Sequence, residues 1–309
     1  DGYTIELPKL VAGLLSKIPN VLTVEEDRDV FGLAIQNTQS PTPSWGLDRV
    51  DQREKVGLTG STSAYGYRSA GTGATIYIGD TGIYPHNDFA SRLSSSGYSA
   101  ISDGNGTIDC NGHGTHVAGT AAGTQYGLAK NAKLVPVRIL DCTGRGSYSG
   151  VMAGLDWILS PENPNSKTQA VLNLSIGGPA SSSLNTAIQR LTNAGVNVVV
   201  AAGNEDEDAC NGSPSSVKSI FTVMASDKDD NRAWFSNWGS CSDVYSPGVN
   251  VLSTIPNGKT AVYSGTSMAS PVVACVLSHY VDMYSDLNML QIKKKVLSMS
   301  TKNAISGKK

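Results

Sequence analysis

The sequence predicts an α/β fold in three layers: a mainly parallel central sheet with helices on both faces, behind a smaller α+β segment. Three observations predict it. From residue 74 onward, short apolar runs alternate with stretches of helical spacing. Strand, helix, strand in repeated order makes a parallel sheet that is covered on both faces. The chain has 309 residues, 39% of them hydrophobic, enough to bury a core without depending on metals or disulfides. The polar residues that suit catalysis stand beside glycine at the ends of the apolar runs, and sheets of this kind bind ligands at the carboxyl ends of their strands.

The elements follow in chain order. Residues 3–7 alternate like a strand. Pro8 then suits the first turn of a helix whose apolar face is Leu10, Val11, Leu14, Leu15 and Ile18. Residues 21–24 read as a second strand, closed by Glu25-Glu26-Asp27-Arg28-Asp29. Residues 1–35 carry a net charge of -3, and the whole chain -2, so the remainder is at +1. Residues 36–44, rich in Gln, Ser, Thr and Pro, read as a linker. Beyond it, residues 74–79, 133–139, 171–175, 196–201 and 220–223 read as buried strands. Helical spacing falls at 113–123, 149–159, 182–194 and from 267 to about 283.

Composition excludes several classes of function. The near-neutral charge argues against nucleic acid and anionic membrane as partners. No stretch approaches the ~18 apolar residues of a membrane-spanning helix. The five cysteines leave at least one thiol outside any pairing within the chain.

Three segments carry chemistry: Asp80-Thr81-Gly82, Asn111-Gly112-His113-Gly114-Thr115-His116, and Gly265-Thr266-Ser267-Met268-Ala269-Ser270-Pro271. Asp80 ends a strand, while His113 and Ser267 each open a helix. A serine hydroxyl is a poor nucleophile until a base takes its proton. Imidazole suits that task near neutral pH. A buried carboxylate can fix the imidazole tautomer and stabilise its charged form. Backbone N–H groups at the helix start by Ser267 favour an oxyanion. Asn204, after Ala201-Ala202-Gly203 at another strand end, offers a further amide donor. Each residue alone has a plainer reading: Asp80 as a turn residue, Ser267 as a helix cap. His113 and His116 stand three apart with no third metal ligand nearby. The Gly-x-Ser-x-Gly elbow of α/β-hydrolases is absent around Ser267, which argues against an esterase or lipase.

Together, in the order Asp, His, Ser, these motifs resemble the subtilisin-like serine peptidases. The likeness is greatest to the proteinase K group and its disulfide-bearing aqualysin-like relatives, and runs from Trp45 to Asn303. The resemblance implies a secreted, monomeric endopeptidase with Asp80, His113 and Ser267 as triad. It implies Asn204 and the Ser267 N–H as oxyanion donors, and His116 as a packing residue. It also implies a cleft that takes an extended peptide between residues 140–148 and 175–178. There Gly144, Gly146, Tyr148, Ser175, Ile176 and Gly177 line the strands, and Ala201, Ala202 and Gly203 complete the specificity pocket. These walls are small and uncharged, so an apolar or aromatic side chain is expected before the cut. The alternative is a silent or immature relative that acts as a binding protein.

The same resemblance implies disulfides Cys110–Cys142 and Cys210–Cys241, with Cys275 left over as a core thiol. The family usually has Gly at Cys275 and His at Val272. It implies structural Ca²⁺ on Asp243 and the carbonyls of Lys218 and Ile220. Asp48, Asp51 and Gln52 resemble another calcium loop of some relatives, whose later acidic ligands are missing here. Residues 1–35 resemble the second half of an inhibitory, folding-assisting propeptide, with the maturation cut near 33–39. Residues 45–309 are then the peptidase domain without its last strand, and a frayed C-terminus is expected. Asn105 and Asn211 stand in glycosylation sequons.

Overall fold

The computed structural model of the chain describes residues 14–15, 17–19, 21, 37–53, 55, 63–165 and 167–309. The chain divides into two compact units, Asp1–Ile35 and Gln36–Lys309. In the first, Leu14 and Leu15 are helical, inside the expected helix. The strands expected on either side lie outside the described residues, save Val21.

In the second unit the strands are β1 (Asn37–Gln39), β2 (Tyr65–Tyr67), β3 (Thr75–Asp80), β4 (Tyr98–Ser99), β5 (Lys133–Arg138), β6 (Ala170–Leu174), β7 (Gly178–Pro179), β8 (Asn197–Ala201), β9 (Gly212–Ser213), β10 (Phe221–Ser226), β11 (Val244–Pro247), β12 (Val251–Ile255) and β13 (Lys259–Tyr263). The helices are α1 (Trp45–Val50), α2 (His113–Ala122), α3 (Tyr148–Leu159), α4 (Ser182–Asn193), α5 (Thr266–Met283) and α6 (Met289–Met299).

Seven strands form the central sheet in the order β11-β10-β8-β6-β3-β5-β4. Every neighbouring pair is parallel. All residues of β3, β6 and β8 are buried, which explains their unbroken apolar character: both faces are covered. The register shows which helices cover each face. Ile78 lies opposite Asn173 and Tyr77 opposite Leu172, so Ile78 with Asn173, and Tyr77 with Leu172, share a face. Asn173 accepts from Ser270 of α5, and α2 packs against α5. Tyr77 meets Trp157 of α3 edge-on, and α3 packs on α4. From β3 the chain moves outward to β5, then returns beyond β3 to β6 and continues to β8. The crevice of a doubly wound sheet opens at such a reversal, here between the ends of β3 and β6.

Two segments differ from expectation. Residues 37–39, inside the expected linker, pair antiparallel with β2. The C-terminal residues are anchored: Ser306 N donates to Asp230 O (2.9 Å) and Arg232 N to Ser306 O (3.0 Å). A short parallel bridge thus replaces fraying there.

Candidate active site

Asp80 closes β3 and is fully buried. Its Oδ1 lies 2.7 Å from His113 Nδ1 and accepts from the Thr81 N–H at 2.8 Å. His113 opens α2 behind Gly112, whose φ of +108° only glycine adopts easily. The helix approaches the β3 turn so closely that a Cβ on Gly114 would stand 2.1 Å from Gly82 O.

A second carboxylate locks this corner. Asp109 is 1% exposed. Its Oδ1 accepts from Thr81 Oγ1 (2.8 Å), Asn111 N (2.9 Å) and Gly112 N (2.8 Å). Its Oδ2 accepts from Thr115 N (2.8 Å) and Thr115 Oγ1 (2.6 Å). A carboxylate at a helix N-terminus is favoured by the free N–H groups and by the dipole. Sequence reasoning missed Asp109, which reads alone as an ordinary turn acid. Burial pushes the His113 imidazole down, but Asp80, through charge and hydrogen bond, and Asp109 hold it above its ordinary value. His116 behaves differently. Burial pushes it down to about 4. Its Nε2 faces Val251 O and Ala261 O, both at 3.1 Å, and it stacks on Tyr263. It is a neutral packing group that joins α2 to the β12–β13 ribbon.

Ser267, in the first turn of α5, is partly exposed. Its hydroxyl donates to Ser175 O at 3.2 Å, so its proton is aimed at a carbonyl and not at His113. Ser175 Oγ donates back to Ser267 O (2.8 Å) and accepts from Asn173 Nδ2 (2.9 Å). The Asn204 amide is oriented by Thr266, whose N–H (2.8 Å) and hydroxyl (2.9 Å) both donate to Asn204 Oδ1. Nδ2 then faces Gly265, 3.7 Å from where a Cβ would stand.

The expected cleft segments flank this group. Residues 139–147 leave β5, and 175–177 leave β6. A Cβ on Gly177 would meet open space, and one on Gly144 only Asn111 Nδ2 at 3.8 Å. Gly146 differs: its Cβ would strike Ile139 O at 2.2 Å, so its small size serves the loop itself. The Tyr148 hydroxyl bridges to Pro179 O. Ser175, Ala201 and Ala202 are buried, while Ile176 and Gly203 are partly covered.

Both expected disulfides are present, Cys110–Cys142 and Cys210–Cys241, with Cα separations of 5.0 and 5.3 Å. The first ties the segment before His113 to the cleft loop. Beside it the buried Arg138 grips Asp103 with two bonds of 2.7 and 2.6 Å. That contact holds the Asp103 carboxyl far below its usual range. Cys275 is buried and unpaired. Val272 is buried too, at 3% exposure.

The two expected calcium sets differ. At Asp48, Oδ1 accepts from Gln52 Nε2 (2.9 Å) and Ala64 N (2.9 Å). Its buried Oδ2 finds no hydrogen-bond partner among the described residues, and Asp51 Oδ2 accepts from Gly66 N. That set leaves one carboxylate oxygen unpartnered among the described residues. The Asp243 set does not. Lys293 Nζ lies 2.8 Å from Asp243 Oδ1 and donates to Lys218 O (2.9 Å) and Ile220 O (2.5 Å). An ammonium stands where the sequence suggested Ca²⁺, so with Lys293 in place this set does not fit the ion.

Residues 71–308 match the model of the subtilase family. The extracellular serine proteinase of Thermus sp. (strain Rt41A) is 44% identical over 99% of this chain and 72% of its own length. The alkaline serine exoprotease A of Vibrio alginolyticus is 41% identical over 99% of this chain, which spans 56% of that protein. The crystal structure of a cold adapted subtilisin-like serine proteinase superposes with a TM-score of 0.81 at 42% identity, covering 87% of this chain and 95% of that one. The chain belongs to the subtilase family of serine peptidases.

Proposed function

We propose that this chain is a secreted endopeptidase that cuts peptide bonds after apolar or aromatic residues. The observation that carries the proposal is the buried Asp80–His113 contact of 2.7 Å, formed at the carboxyl end of β3 on the side of the sheet where Ser267 opens α5. In the proposed reaction Ser267 Oγ turns from Ser175 O toward His113 and attacks the scissile carbonyl. His113 Nε2 takes the hydroxyl proton while Asp80 holds Nδ1–H. The carbonyl oxygen becomes an anion that Asn204 Nδ2 and the Ser267 N–H receive, about 3–4 kcal/mol per donor. His113 then returns the proton to the leaving amine. Water repeats the sequence on the acyl-enzyme, forming the acid and freeing Ser267.

The substrate lies extended between residues 140–148 and 175–178, with its backbone against Gly144 and Gly177. The side chain before the cut enters between residues 175–177 and 201–203. Residues 1–35 act as an inhibitory and folding-assisting propeptide of residues 45–309, released by a cut within or near 36–44. The mature enzyme acts as a monomer outside the cell, where two disulfides persist. Oδ2 of Asp48, unpartnered among the described residues, would with Asp51 and Gln52 hold a structural Ca²⁺.

The rival reading, a silent binding relative, draws on the Ser267 proton being aimed at Ser175 O. Unliganded serine peptidases tolerate such loose geometry. Two measurements separate the readings. Purified protein is expected to cleave casein and to take a fluorophosphonate label on Ser267, and Ser267→Ala to do neither. Folded protein that resists both reagents would sink the peptidase reading. Ester hydrolysis with casein untouched would point to another hydrolase.

A further inference from the structure

Calcium binding is general in the subtilase family, yet Lys293 fills one expected site with its own side chain. Its ammonium has three N–H donors and meets three oxygens: Lys218 O, Ile220 O and Asp243 Oδ1. The Lys293 and Asp243 side chains are only 12% and 15% exposed, so the pair is shielded from solvent. Asp243 Oδ2 is engaged as well, accepting from Thr222 N at 2.9 Å. Nζ also stands 5.6 Å from the centre of the Phe221 ring, a further electrostatic attraction for a cation.

Calcium requires six to eight oxygens at about 2.3–2.6 Å. Here three oxygens converge on a point that already carries a positive charge. A dication cannot enter while the ammonium stays, because the two charges repel at contact distance.

We infer that Lys293 is a built-in replacement for a structural calcium ion. The ammonium does what the ion would do: it fastens the carbonyls that lead into β10 to the carboxylate that precedes β11. It also does something an ion does not. Lys293 belongs to α6, whose Ile292 and Val296 are buried in the core. The contact therefore ties α6 to the same sheet edge. An ion dissociates, and its contribution rises and falls with its free concentration. A side chain is always present, so stability at this edge does not depend on calcium.

The test uses full-length protein carrying Ser267→Ala, which prevents autolysis, and reads thermal midpoints and calcium binding by equilibrium dialysis. Neither readout depends on peptidase activity. Asp243→Asn is expected to leave the stoichiometry of bound calcium unchanged, since Asp243 is not a ligand while Lys293 is present. Lys293→Ala is expected to lower the midpoint by several degrees and to make it rise further with calcium than the midpoint of the Ser267→Ala protein does. That added rise is expected to vanish in Lys293→Ala/Asp243→Asn. Loss of one bound calcium on Asp243→Asn alone would overturn the inference. So would a Lys293→Ala protein whose midpoint rises no more in millimolar CaCl₂ than that of the Ser267→Ala protein. If Lys293→Ala does not fold in either medium, dialysis of the Asp243→Asn protein decides by itself. Calcium held through Asp48 is common to all these proteins and cancels from the comparison.

Discussion

The two sides of the site are held by different chemistry. On the His113 side the fixing groups are charged. Asp80 meets the imidazole, Asp109 gathers five donors around the start of α2, and Arg138 grips Asp103 behind the disulfide. On the Ser267 side the bonds that orient the reacting groups are neutral: Thr266 to Asn204, Ser175 to Ser267, Ser270 to Asn173. Where a carboxylate does touch this side, Glu205 takes the backbone N–H of Asn204 and not its side chain. In the proposed mechanism the difference follows from where charge develops. The imidazole becomes a cation, and fixed anions beside it favour that. The carbonyl oxygen becomes an anion, and it needs N–H donors with no negative charge among them.

The largest test of this contrast is Asp80→Asn. It keeps the shape but removes the charge and favours the wrong tautomer, so kcat should fall by about 10⁴-fold. The pH profile sharpens the same point. In the proposed mechanism His113 acts as base only when neutral, and Asp80 and Asp109 hold it above its ordinary value. Activity of the unaltered enzyme should therefore fall as pH drops through a value above about 6.5. The residual activity of Asp80→Asn should keep its acid limb at lower pH. An unmoved limb would mean that Asp80 does not set the charge of His113.

Next in size is Asn204→Ala, expected to lower kcat by about 100- to 1000-fold with KM nearly unchanged. A larger rise in KM than fall in kcat would show Asn204 to be a ground-state contact. The smallest effect is expected for Thr266→Val. The Thr266 N–H still holds Asn204 Oδ1; the hydroxyl's bond from Gly203 N and its bond to Asn204 Oδ1 are both lost, and the one on the amide is worth about 1 kcal/mol, or about fivefold in kcat. If Thr266→Val equals Asn204→Ala, the hydroxyl alone orients the amide.

Much of this arrangement was legible in the sequence. The core strands announce themselves as apolar runs because both faces of the sheet are covered, and their ends carry Asp80, Ser175 and Ala201. Asp80, His113, Asn204 and Ser267 stand in local motifs, so they were legible too. Asp109 was not, because its five bonds arise only when the β3 turn meets α2. The β12–β13 ribbon escaped notice although Asn257-Gly258 marks its turn, since its strands are half polar. The start of α6 carried a readable signal, the Asn288 and Gln291 capping box. What Lys293 does was invisible, for its partners lie 75 and 73 positions away. The resemblance suggested calcium at Asp243 and two carbonyls; that Lys293 fills this place needed the third dimension.

Cys275 deserves a different reading from the other cysteines. It is fully buried on the same helix as Ser267, and burial pushes its thiol well up. With the other four cysteines paired, a thiol reagent finds one target, hidden while α5 stays docked. Labelling must wait for the helix to open. The chain thus carries its own stopwatch: the rate at which Cys275 reacts counts how often the helix that bears Ser267 leaves its seat.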